Sequence, residues 1–265
     1  MQVEYIPFLK SKENEVHAIA ELDVNILSKI VPFFDLPQKQ NGGYTPDTLA
    51  GTIDRLAKKF TTHLSGVSEF YFDIYDLDDS LEIGGSHLYR YLFDQFSGLP
   101  LIPVVSIDRS DNHLGSVVDA IENKVISSKV IAFRVTIEDF ESYDVVSDDI
   151  EDLLGPVFSC FEYIDLIFDC RVCTGIDAGK VSKQVDSFAK GFLSKYSVRR
   201  VVLTGSSIPA SVAEVLPSNS EEYVKRNEVE IFNAAVSLGT TDYIFGDYAT
   251  ISPDYSDANI PGDQM

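Results

Sequence analysis

Cysteine is scarce in this chain: Cys160, Cys170 and Cys173 are the three among 265 residues, too few for a disulfide framework at this length. That usage suits a reducing compartment. Cys170 and Cys173 form one CxxC pair, but no second pair or neighbouring histidine completes a tetrahedral metal set. The four histidines, His17, His63, His87 and His113, include no pair spaced i,i+4, so a helical zinc site lacks its ligands. All four are expected on surface helices or loops. There is no GxSxG, P-loop or HExxH, which removes the familiar hydrolase and metalloprotease signatures. No apolar run approaches the roughly 20 residues needed to span a bilayer. The opening Met-Gln-Val-Glu-Tyr-Ile-Pro is not a basic segment followed by an apolar core. A cytoplasmic protein without membrane association is the expectation.

Positive charge is scarce too. Lys and Arg total 21 against 42 for Asp and Glu, giving a net charge of −21. A field of that sign repels phosphate backbones and anionic lipid surfaces, so non-specific nucleic-acid binding is not expected. The plain reading of the charge is solubility. The sharper one is mimicry of a polyanion that occupies a basic protein partner.

What is present is a folding composition, 45% hydrophobic, with enough apolar surface to offset the entropy of ordering. Short apolar runs alternate with amphipathic segments. Strands are predicted at Val3–Leu9 (closed by Lys10), Ile30–Leu36, Phe70–Tyr75, Leu101–Ile107, Val130–Ile137, Tyr163–Asp169, Arg200–Thr204 and Tyr243–Asp247. Helices are predicted between them: Glu13–Leu22 with a further turn capped by Asp23, Thr45–Leu64 with Pro46 in its first turn, Leu88–Phe96, His113–Val125, a helix capped by Ser147 and Asp148, Gly179–Tyr196, and Glu228–Leu238. Near-continuous apolar strands joined by helical crossovers are what parallel pairing requires. An open doubly wound sheet would give a similar string. The count of eight, without a GxGxxG after the first strand, favours a TIM-like (β/α)8 barrel. Only 18 residues follow Asp247, with no helical periodicity, so the last helix is expected to be missing or replaced. The expected organisation is one barrel domain over 1–251 and an irregular tail over 252–265.

Charged residues fall at the predicted C-terminal strand ends, where a barrel gathers distant positions on one face. Asp35, Asp73, Asp169 and Asp247 are the candidate catalytic carboxylates, as a general base or as ligands of a divalent metal ion. Lys10, Arg134 and Arg171 are the candidate holders of anionic oxygens. Thr204, Gly205 and Ser206 would add hydroxyl donors and close backbone approach after the seventh strand, where barrels often bind phosphate. The alternative for the charged set is a structural ion-pair network. Asp76, Asp78 and Asp79 read as a solvated acidic loop.

The opening EYIPFLKSKENEVHAIAEL followed by IVPFFDLP resembles the start of the phage Beta protein family. Tyr5, Pro7 and Lys10 match its first strand, and Pro32, Asp35 and Pro37 its second, with Asp35 where Glu is common. The GDYAT segment, Gly246–Thr250, is similar to a late Asp-Tyr element of that family. The resemblance implies a chain that continues beyond this point, in keeping with the missing last helix. It also implies, by association, a role in phage–host conflict. Two functions follow as expectations. One is a barrel whose mouth binds, and as a phosphoester hydrolase cleaves, a phosphorylated or nucleotide-like small molecule. The other is a non-catalytic acidic protein that inhibits a host or defence protein, with a catalytically dead scaffold as the plainest variant. The chain specifies no oligomeric state.

Overall fold

In the computed structural model, residues 2–39, 43–210, 220–221, 223–249 and 252–254 are described. Eight parallel strands close into a barrel: β1 (Tyr5–Lys10), β2 (Phe33–Asp35), β3 (Phe70–Asp73), β6 (Leu101–Val105), β7 (Val130–Thr136), β8 (Tyr163–Val172), β9 (Val198–Ser206) and β10 (Tyr243–Asp247), with β10 returning to β1. A two-stranded antiparallel hairpin, β4 (Glu82–Ile83) with β5 (Ser86–His87), was not anticipated. It lies in the loop after β3. The open doubly wound alternative is thereby excluded.

The helices follow from local chemistry. Helix α1 (Glu13–Ala20) precedes a single turn, α2 (Val24–Leu27), whose Asp23 cap accepts from Asn25 N at 2.8 Å. Thr45 caps α3 (Pro46–His63), exchanging hydrogen bonds with Thr48 while Pro46 fills the first turn. Helices α4 (Leu88–Gln95) and α5 (Asp111–Glu122) flank β6, with Ser110 capping α5. Helix α6 spans Tyr143–Leu154, five residues earlier than a cap at Ser147 predicts. The apolar spacing of Tyr143, Ile150 and Leu154, all buried, outweighs the Ser147–Asp148 signal. Helix α7 (Ala178–Lys195) is capped by Asp177, and α8 (Asn227–Ser237) precedes β10. Among the described residues no helix follows β10. The expected tail beyond Asp254 lies outside the described residues.

Buried side chains divide into two clusters, as barrel pleating demands. Ile6, Phe8, Val31, Phe33, Tyr71, Ile102, Val104, Ala132, Ile167 and Val202 fill the interior beneath Tyr248. The alternate residues, among them Phe34, Phe70, Phe72, Phe133 and Phe168, pack outward under the helices. Gly246 serves this closure: a Cβ there would sit 2.9 Å from Ile6 O and 3.0 Å from the Phe8 ring. Parity carries past the apolar layers. Lys10, Asp35 and Asp73 are in register across β1, β2 and β3, and Thr136, Asp169 and Thr204 across β7, β8 and β9. Two residues above Phe8, Phe33, Tyr71, Ala132, Ile167 and Val202, the pleat aims Lys10, Asp35, Asp73, Arg134, Asp169 and Thr204 into the C-terminal mouth.

Candidate functional site

Arg134, wholly buried, is the hub of this mouth. Its Nη1 donates to Asp35 Oδ1 at 3.0 Å and Asp73 Oδ2 at 2.7 Å. Its Nε and Nη2 donate to Asp169 Oδ2 at 3.1 and 2.5 Å, and Nη2 also reaches Tyr248 OH at 2.9 Å. Tyr248 in turn donates to Asp169 Oδ2 at 2.6 Å, and burial next to that carboxylate holds its phenol far above the usual range, so it keeps its proton. A guanidinium with five donors in a fixed plane can bond carboxylates from three strands and the Tyr248 hydroxyl at once; an ammonium has only three donors.

A second tier surrounds this centre. Lys10 Nζ contacts Asp76 at 2.5 Å and Asp35 at 3.7 Å. Arg109 reaches Asp73 Oδ1 at 3.3 Å. Arg171 Nη2 bonds Asp76 at 3.1 Å. Tyr75, two residues beyond Asp73, lies against three guanidinium groups: Arg134 at 4.4 Å, Arg171 at 4.6 Å and Arg109 at 5.2 Å from its ring centroid. Four cations thus meet four carboxylates, those of Asp35, Asp73, Asp76 and Asp169.

The carboxylates are electrostatically unequal. Burial pushes the Asp35 carboxyl up, but Arg134, Lys10 and Arg171 together outweigh it and hold it below its ordinary value. At Asp73 burial wins over Arg109 and Arg134, helped by the neighbouring Asp35 charge, and the carboxyl is raised. Two acids accepting from the same Arg134 nitrogen are therefore pushed in opposite directions. Several buried polar atoms at this end have no hydrogen-bond partner among the described residues: Asp35 Oδ2, Ser106 Oγ, Thr204 Oγ1 and Arg171 Nη1. Such groups cost stability unless something pairs with them.

The candidates from the sequence divide cleanly. Lys10, Asp35, Asp73, Arg134, Asp169, Arg171 and Thr204 come together. Asp247 does not: it lies on the outer side of the wall, accepting from Tyr5 OH at 2.7 Å and from Arg226. Pleating explains this, since Gly246 and Tyr248 take the inward positions. Gly205 also faces outward, where a Cβ would meet Cys170 Cβ at 3.1 Å and Cys173 Sγ at 3.3 Å. Ser206 Oγ accepts from Ile208 N at 3.1 Å in the turn after β9. The acidic loop is corrected at Asp76, whose side chain is 7% exposed and bridges Lys10 and Arg171, while Asp78 is exposed. The histidines are corrected as well. His113 is wholly buried and stacks on Tyr89 at 4.4 Å, and His87 is buried beside it. Sequence reading missed Tyr75 and Tyr248 as site residues, although both continue the inward parity of their strands.

A divalent metal ion does not fit the three carboxylates of Asp35, Asp73 and Asp169. They converge on the Arg134 guanidinium, which occupies one oxygen of each, while Lys10 and Arg109 add positive charge beside them. Among the described residues no group of three His, Cys, Asp or Glu side chains could hold a metal.

The opposite pole carries its own network. Asp165, wholly buried, accepts from Tyr71 OH at 2.6 Å and from Arg199 Nε at 2.9 Å, and Glu69 pairs with Arg199 and Arg200 at 2.9 and 2.6 Å. An adjacent cavity of about 620 Å³ is lined by Arg199, Arg200, Thr240 and Thr241, among others. Its arginines are engaged with Glu69 and Asp165, and this end of a barrel serves stability.

A family model described as Beta protein matches residues 5–264. The chain belongs to the Beta protein family. No curated protein matches it. Among solved structures, the Beta family chain is similar to the arginine decarboxylase of Paramecium bursaria Chlorella virus, at 13% identity and TM-score 0.46 over 91% of this chain and 56% of that one. It is similar to a glucosidase from Croceicoccus marinus, at 8% identity and TM-score 0.42 over 74% and 50%. It is also similar to the carboxyl transferase domain of Rhizobium etli pyruvate carboxylase, at 13% identity and TM-score 0.34 over 92% and 41%. The chain spans about half the length of the solved chains it matches. No helix among the described residues is long and apolar enough to cross a membrane.

Proposed function

We propose that this Beta family barrel binds a small phosphorylated or nucleotide-like molecule at its C-terminal mouth. The observation that carries the reading is the set of buried, unsatisfied polar atoms from four strand ends, Asp35 Oδ2, Ser106 Oγ, Arg171 Nη1 and Thr204 Oγ1, around a cluster of cations. Buried polar groups of this kind call for a partner, and a ligand's oxygens or ordered water can supply it. Lys10 and Arg171 supply charge to a phosphate, and Arg134 fixes the carboxylates that hold the cations in place. Phosphoester hydrolysis, the finer reading, calls on Asp35 Oδ2, which has no hydrogen bond among the described residues and faces Lys10 Nζ at 3.7 Å, as the acceptor for an attacking water's proton. The test is a thermal-shift screen of nucleotides and sugar phosphates against wild type and Lys10→Gln. A compound that raises the wild-type midpoint, with a smaller rise in Lys10→Gln, supports the reading; an equal rise in both removes Lys10 from the site.

The second reading, an acidic protein that inhibits a basic host or defence partner in phage–host conflict, is favoured by the net charge of −21. Capture of such a partner from host lysate should weaken as salt rises, and absence of any partner at low salt counts against it.

A further inference from the structure

We infer that Arg171 is an oxyanion-binding position, and that the Asp254 carboxylate holds it when no ligand is bound. This rests on the mouth being a ligand site and names the group the ligand presents. Arg171 has a left-handed backbone, φ 49°, at the point where the β8–β9 register shifts. For a long, non-glycine side chain that conformation is costly and persists only where the surroundings impose it. Here the Arg171 amide donates to Asp169 Oδ1 at 2.8 Å, and the guanidinium is laid over Tyr75.

Its two terminal nitrogens are used unevenly. Nη2 donates to Asp76 at 3.1 Å, to Asp254 Oδ1 at 2.9 Å and to Pro253 O at 3.3 Å. Nη1 is buried and has no hydrogen-bond partner among the described residues. The Asp76 carboxylate is 7% exposed and shared with Lys10, a fixed part of the wall, whereas Asp254 is 52% exposed. An exposed ion pair is weak and easily exchanged. Asp254 engages one side of the fork. A free phosphate or carboxylate, not tethered to the chain, can bond both nitrogens at once, which is the stronger geometry for a guanidinium. The ligand is therefore recognised by a terminal oxyanion, that of a phosphate monoester or a carboxylic acid, and it displaces Ser252–Asp254 as it enters.

Titration of the full chain with inorganic phosphate, and in parallel with acetate, tests this in wild type, Asp254→Asn and Arg171→Lys. Removing the competing charge should tighten binding about two- to fivefold in Asp254→Asn, the range set by the loss of one exposed pair. Arg171→Lys, which keeps the charge but lacks the fork, should weaken it. Whichever probe shows the tightening identifies the oxyanion. Equal affinity of wild type and Asp254→Asn overturns the competition while leaving the mouth as a binding site. Failure of both anions to bind wild type and Asp254→Asn alike overturns the inference and the proposed function together.

Discussion

Arg134 and Asp169, neighbours across β7 and β8, share a buried bond in which Nε and Nη2 of the guanidinium both donate to one carboxylate oxygen, Oδ2, at 3.1 and 2.5 Å. Neither group touches solvent. Taking both out of water is costly, and the pair persists because Asp35, Asp73 and Tyr248 satisfy the remaining donors.

Arg134→Met should therefore destabilise the fold by about 3–5 kcal/mol, the usual result of stripping the partner from buried charges. Urea unfolding followed by circular dichroism measures it. A loss below about 1 kcal/mol, the scale of an exposed pair, would contradict the buried network.

The pH dependence should have two separate components. Burial, reinforced by Arg109 and opposed by Asp79, holds the His113 imidazole well below its ordinary value of 6.5. The folded protein keeps it neutral while the unfolded chain protonates it, so stability falls as pH drops below about 6.5. Asp35, held down, contributes stability above the ordinary carboxylate range that is lost as pH falls through its folded value. Asp73, held up, has the opposite sign: the folded state takes its proton more readily, and stability is gained as pH falls. His113→Leu should flatten the unfolding midpoint between pH 7.5 and 5.5 without altering the steeper loss at lower pH. An unchanged slope between those values would show that His113 is not the group responsible.

Eight strands could be read from apolar runs separated by helical crossovers, and their count favoured a closed barrel over an open doubly wound sheet. The inward set at the mouth was readable too, by carrying the parity of Phe8, Phe33 and Ile167 two residues on to Lys10, Asp35 and Asp169. Asp247 was misplaced because proximity to a strand end was weighed without parity. Asp76 was misjudged because a run of acids looks solvated until Lys10 and Arg171 arrive from 66 and 95 residues away. Buried His113 had no local signal: its pocket is made by Tyr89 and the hairpin residue His87.

Gly246→Ala should cost about 1–3 kcal/mol, the range for overpacking a filled core. The added methyl meets a backbone carbonyl, Ile6 O, and the Phe8 ring, neither free to move. Chemical denaturation checks this, and a neutral substitution would mean that β1 and β10 are looser than described.

Burial pushes the Cys173 thiol up to about 11 and raises the Cys170 thiol well above its ordinary value, so neither is a ready nucleophile. Under native conditions an aromatic disulfide reagent should modify Cys160 fast and the other two only on unfolding. Rapid loss of all three thiols would count against the packing behind β8 and β9.

The most direct test of ligand binding at the C-terminal mouth is a backbone amide correlation spectrum recorded while the full chain is titrated with inorganic pyrophosphate. Shifts should be confined to the strand ends around Lys10, Asp35, Tyr75, Arg171 and Thr204. Shifts centred on Arg199 and Arg200 at the opposite pole, or none at saturating pyrophosphate, would contradict it.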